Sequence, residues 1–166
     1  PRSTRVSRRQ RQMCIRDRYG YMLGELPTLF QETALLDRIH GFVKGWDIPR
    51  MNDGLKLTGW ALNSEYFCSI LHELRNDMSY RAIVEKIVEV PKHADTRDTE
   101  AIKRLATAYL KLLFPNVRNE FDVDKMEFRD YCLTPAMKMR RIIKLQQGMI
   151  DSEYKNKDIP CLMVRE

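Results

Sequence analysis

The chain has 166 residues, 43% of them hydrophobic and 31% charged, a balance that folds rather than stays disordered and that allows one ordinary domain or a piece of a larger protein. No apolar run approaches the roughly 20 residues that span a bilayer, and Cys14, Cys68, Cys132 and Cys161 form no C-x-x-C pair, which argues against zinc and for reduced, buried thiols. The net charge of +6 is local: residues 1–18 hold seven of the 29 basic residues and one of the 23 acidic, so the remainder carries 22 of each.

Residues 1–18 lack apolar periodicity and are expected to be disordered. They read three ways: a basic arm for nucleic acid, a transit peptide, or non-native sequence. The run RQRQMCIRDR looks like translated sequencing adapter, which favours the third. On that reading the native residues begin near Tyr19 and the true chain continues upstream.

Tyr19–Leu29 reads as loop, punctuated by Gly20, Gly24 and Pro27. Leu35, Leu36 and Ile39 give helical spacing over Gln31–Ile39. Gly41 is expected to end that helix in the left-handed conformation. Phe42-Val43 and Trp46-x-Ile48 favour one strand, with Gly45 as a break and Pro49 as its stop. Arg38 then stands on the last turn of a helix beside a sheet edge. It is either a surface charge or a group that reaches a neighbour's phosphate. Asn52-Asp53-Gly54 marks a turn.

From about Ala61 the period is helical. Leu62, Tyr66, Phe67, Ile70, Leu71 and Leu74 form one stripe. Ser79 can cap a second helix with Tyr80, Ile83, Val84, Ile87 and Val88, stopped by Pro91. Thr96 can cap a third, with Ala101, Ile102, Leu105, Ala108, Tyr109, Leu112 and Leu113 as its apolar face and Pro115 at its end. Asp122 can cap a fourth reaching Cys132, and Pro135 can start a fifth ending near Gly148. Residues 151–166 are mixed and extended. The fold class is mostly α: one strand, then four to five amphipathic helices that bury their stripes in a small bundle.

Two stretches carry a resemblance. TALLDRIHGFVKGWDIPRM resembles the segment that closes the ATPase core of AAA+ proteins, most closely the BrxL family, Lon-related proteins of BREX phage-defence systems. In that family an LLDRIHG…PGW.IP run carries an arginine that looks like the arginine finger, which contacts the nucleotide of the adjacent subunit; here it is Arg38. Lys44 stands where the family usually has proline. TRDTEAIKRLATAY resembles the sensor 2 helix of Lon-like and MCM-like proteins, which matches Arg97, Glu100 and Ala101. A helix N-terminus carries about half a positive charge and unpaired N–H groups, so an arginine there suits a γ-phosphate. Alternatively Arg97 pairs with Asp95, Asp98 or Glu100 on the surface.

The resemblance implies a partial AAA+ ATPase: a disordered start at 1–18, the end of the αβ subdomain at 19–58, a helical lid at 59–150 and a linker at 151–166 toward a Lon-like domain. It implies ATP and Mg held mainly by residues upstream, with Arg38 acting in trans and Arg97 in cis. It also implies a homo-oligomeric, hexamer-type ring that meets DNA through the full-length parent, a bacterial cytoplasmic setting and no membrane. The chain has no G-x-x-x-x-G-K-[ST] loop, no strand ending in paired acids and no protease motif. Alone it is expected not to hydrolyse ATP.

Other residues read more plainly. Lys103 and Arg104 look like a solvated face. Lys138, Arg140, Arg141 and Lys144 form a basic stripe, either a DNA contact or a charged face. His40, His72 and His93 share no metal spacing, and His40 reads as a cap donor at a helix exit. Trp46 and Trp60 read as core or lid-hinge residues. The alternative from another class is a non-enzymatic helical interaction module, or a nucleic-acid-binding adaptor with a basic N-terminal arm.

Overall fold

Helices dominate because apolar residues recur at helical spacing and short polar side chains start most of the long runs. The computed structural model describes residues 20, 22–24 and 26–165. The arginine-rich stretch 1–18 lies outside the described residues.

The first helix, α1 (Thr33–Leu36), is a single turn that follows a 3₁₀ turn at Thr28–Gln31. The strand expected over Phe42–Ile48 does not form. Residues 39–44 are irregular and Gly45–Asp47 makes a 3₁₀ turn. A strand needs a neighbour to take its N–H and C=O groups, and none of the described residues supplies one here. Gly41 is not left-handed either. It is small for a packing reason: a Cβ there would stand 2.9 Å from Met139 Cβ and 3.0 Å from Leu105 Cδ1. Gly41→Ala should therefore destabilise by about 1–3 kcal/mol through overpacking, read as a lower Tm.

Helix α2 (Ser64–Arg75) is capped by Asn63, whose Oδ1 accepts from the N–H of Glu65 at 2.9 Å and of Tyr66 at 3.2 Å. It buries none of its residues; Leu74 leans on the core from its last turn. Val43, Trp46, Ile48, Met51, Leu57 and Trp60 before it are also exposed, so the tryptophans are not core residues. Helix α3 (Ser79–Ile87) buries Tyr80, Ile83, Val84 and Ile87. It runs into β1 (Val88–Glu89).

Helix α4 (Thr96–Leu113) is the central rod. Its cap is Asp95, not Thr96: Asp95 Oδ1 accepts from the N–H of Arg97 at 2.9 Å and of Asp98 at 3.1 Å. Its buried face is rotated from the expected one. Lys103 and Thr107 point inward, whereas Leu112 and Leu113 are exposed. Lys103 can be buried because its ammonium pairs with Glu85 while its alkyl stem packs.

The fourth and fifth helices are one. Helix α5 comprises Lys125–Glu127, a π-helical stretch Phe128–Leu133 and Thr134–Ile150 in unbroken succession. Asp124 caps it, not Asp122. Pro135 has no N–H and its ring crowds the carbonyl four residues back. The π stretch absorbs that defect: the Thr134 N–H bonds to Arg129 O, five residues back. The tail then returns, and β2 (Met163–Val164) pairs antiparallel with β1 as Val88↔Val164 and Glu89↔Met163.

The core lies between α3, α4 and α5. Ile83, Val84, Ile102, Ala106, Leu110, Phe128, Leu133 and Ala136 meet there, with Ile159 and Leu162 of the tail closing it. Of the three described cysteines only Cys132 is buried, and burial pushes its thiol up to about 12. Cys68 and Cys161 are exposed, contrary to the buried thiols expected. No helix among the described residues is long and apolar enough to cross a membrane.

Candidate functional site

The site forms where the turn after α1 meets the first turns of α4. Leu36 is fully buried and anchors that turn. The N–H groups of Asp37, Arg38 and Ile39 bond back to Thr33, Leu35 and Leu36 at 2.9–3.0 Å. This holds Arg38 at the end of the turn with its side chain exposed. Arg38 has no ion pair with a described residue. Arg97 stands on the first turn of α4. Both line one cleft of about 270 Å³, together with Asp37, His40, Thr96, Glu100, Ala101 and Arg104. The two arginines singled out in the sequence are thus brought together.

The cleft's charge balance favours an anion. Arg38, Arg97 and Arg104 face Asp37 and Glu100, and each carboxylate is already engaged. Glu100 accepts from Arg81 at 3.0 Å. Asp37 accepts from Arg97 at 2.6 Å on one oxygen and from Arg140 at 2.7 Å on the other. His40 lies 3.1 Å from Arg104. Burial first, then the charges of Arg104 and Arg140, holds the His40 imidazole below its ordinary range. A neutral ring can accept from Arg104, so His40 is an acceptor in the cleft, not a cap donor.

Arg97 is held, but not shut away. Its partner is Asp37, not Asp95, Asp98 or Glu100, and its side chain remains 62% exposed. The backbone N–H groups of Arg97, Asp98 and Thr99 at the start of α4 are taken by Asp95.

Burial alone would raise the Asp37 pKa, but the Arg97 hydrogen bond and the Arg140 charge outweigh it and hold the carboxyl below 3.8. A depressed folded-state pKa gives stability that is complete above the ordinary value. That stability is lost as pH falls through the lowered one. Melting temperature followed between about pH 5 and 3 should fall less steeply in Asp37→Asn than in the native chain.

Half of the basic stripe on α5 is not a surface, while Lys138 and Arg141 are exposed. Arg140 is fully buried and Lys144 nearly so. Arg140 donates from Nε to Asp98 at 2.7 Å and from Nη1 to the carbonyls of Asp37 at 3.1 Å and Ile39 at 2.5 Å. Lys144 Nζ lies 2.7 Å from the other oxygen of Asp98. Neither can reach DNA. Arg141 stays outside, paired with Asp158. Asp37, Asp98 and Arg140 were not recognised as a cluster in the sequence. One signal was there: Ala136, Arg140, Ile143, Lys144 and Gln147 share one helical face, so two cations fall on an apolar stripe.

No group of three or more His, Cys, Asp or Glu among the described residues could hold a metal ion.

Residues 6–160 match a family of nucleotide-hydrolysing domains. The chain belongs to that family, described as "Lon-like protease BrxL-like, ATPase domain". Among relatives, Lon-like protease BrxL of Escherichia coli O9:H4 (strain HS) is 29% identical over 127 residues, covering 76% of this chain and 17% of that protein. Lon-like protease BrxL of Bacillus cereus (strain H3081.97) is 25% identical over 136 residues, covering 76% of this chain and 20% of that protein. The chain spans a fifth or less of these relatives.

Proposed function

We propose that this chain is the phosphate-gripping part of a BrxL-like ATPase, with Arg38 as the arginine finger and Arg97 as the sensor 2 residue. The observation that carries this is the shared cleft: two arginines remote in sequence open onto one space with a surplus of positive charge. An arginine finger acts on a nucleotide bound by the neighbouring subunit, so Arg38 serves in trans within a ring. Arg97 lines the same cleft, and under this reading it meets the same phosphate, so that the two arginines grip it jointly. ATP's base and Mg²⁺ would be held by residues outside this chain. Phosphoryl transfer depends on positioning and charge neutralisation, and this chain contributes the charge.

The uncovered apolar stretch from Val43 to Trp60 fits a surface that meets other parts of such an assembly. Action on DNA and in phage defence belongs to the full-length protein under this reading. The adaptor alternative draws on a basic arm that lies outside the described residues.

Tripolyphosphate, which carries the terminal phosphates without a base, tests the reading by titration calorimetry. Arg97→Ala should weaken its binding about tenfold or more, since a hydrogen bond between charged groups is worth roughly 1.5–3 kcal/mol. Equal affinity in the variant would remove Arg97 from the site.

A further inference from the structure

Arg140 touches the chain on both sides of the cleft without lining it. The carbonyls of Asp37 and Ile39 flank Arg38 in sequence, and both accept from Arg140 Nη1. Its Nη2 bonds Asp37 Oδ1, and its Nε bonds Asp98, the residue after Arg97. We infer that Arg140 is a positioning residue that sets the separation of Arg38 and Arg97, so that both can grip one phosphate group. The inference rests on the cleft being a phosphate site.

The chemistry suits this role. A guanidinium is a planar fork with fixed donor directions, so it fixes distance as well as charge. Here one buried fork spans the turn after α1 and the first turn of α4. Lys144 on the second oxygen of Asp98 and the Gln147 amide on Thr33 O, at 3.2 Å, hold the same two elements to α5. The arrangement also frees Arg97 to move. When Arg97 leaves Asp37 for a phosphate, Arg140 still pairs that carboxylate, so no buried charge is stranded. A lysine could supply the charge but not the fork.

A double-mutant cycle on the 166-residue chain with tripolyphosphate tests it. Arg38→Ala, Arg97→Ala and the double variant should show a coupling of about fivefold or more in the native background. In the Arg140→Lys background that coupling should fall to about twofold or less, while far-UV circular dichroism shows the fold retained. Undiminished coupling in folded Arg140→Lys overturns the inference and leaves the phosphate site standing. If Arg140→Lys does not fold, Asp98→Asn takes its place, since in either orientation its amide N–H₂ faces Arg140 Nε or Lys144 Nζ and breaks the anchor to α4; undiminished coupling there overturns the inference equally. Tripolyphosphate binding that depends on neither Arg38 nor Arg97 in the native background would remove the phosphate site itself, and the positioning role with it. Arg141→Ala, on the outer face of α5, serves as the control and should leave binding within about twofold.

Discussion

In a full-length BrxL-like protein carrying this domain, Arg38→Ala should cut ATP turnover by about 10³–10⁵-fold, the range arginine fingers supply. Nucleotide binding should weaken far less, by about tenfold or less, because most of the finger's contribution comes as charge develops while the γ-phosphate departs. Arg38 suits this role because it is exposed, lacks an ion pair with a described residue and sits on a turn anchored by buried Leu36. A loose surface arginine would have none of that support. Steady-state hydrolysis beside fluorescent-nucleotide binding separates the two effects. Unchanged turnover in the assembled variant would remove the finger assignment. An equal loss of binding and turnover would make Arg38 an ordinary ligand for the bound state.

The second large effect is on stability. Arg140→Ala should destabilise the chain by about 3–5 kcal/mol, the cost of breaking a buried ion pair by removing one partner. It strips Asp98 of one of two cations and leaves Asp37 with only the exposed Arg97. It also orphans the carbonyls of Asp37 and Ile39. For a chain of this size the melting temperature should drop by roughly 10 °C. Arg141→Ala, one position on, removes an exposed pair with Asp158 and should cost less than about 1 kcal/mol. Thermal melts of the two variants, side by side, separate buried from exposed arginine on the same helix.

Much of the helical framework was legible because apolar spacing and caps are local signals. The helices at Ser64–Arg75, Ser79–Ile87 and Thr96–Leu113 fall close to where the stripes placed them. What was not legible depends on partners distant in sequence. Phe42–Ile48 has strand-forming residues, but a ladder needs a neighbour, and the pairing went instead to Val88–Glu89 and Met163–Val164. Pro135 reads as a helix start; a π stretch lets the helix pass through it. Gly41 reads as a left-handed exit, while its real constraint is the approach of Met139 and Leu105 from two other helices.

The candidate site divides the same way. Arg38 and Arg97 could be singled out from their motifs, and the expectation that they act on a phosphate comes from the family resemblance of those motifs. That they open onto one cleft depends on Asp37, Asp98 and Arg140, which meet from three elements. A basic stripe on α5 reads as surface because Lys and Arg are seldom buried. Arg140 and Lys144 are buried here because carboxylates from α4 and from the turn after α1 wait on the inner side.

The central claim is that Arg38 and Arg97 grip a single phosphate group. Side-chain ¹⁵N resonances of the two guanidinium Nε groups, followed while tripolyphosphate is added to the chain, test it most directly. Both should move together along one saturation curve with a common dissociation constant, while the Arg140 resonance stays in place. Movement of one arginine alone, or two curves with different constants, would contradict it.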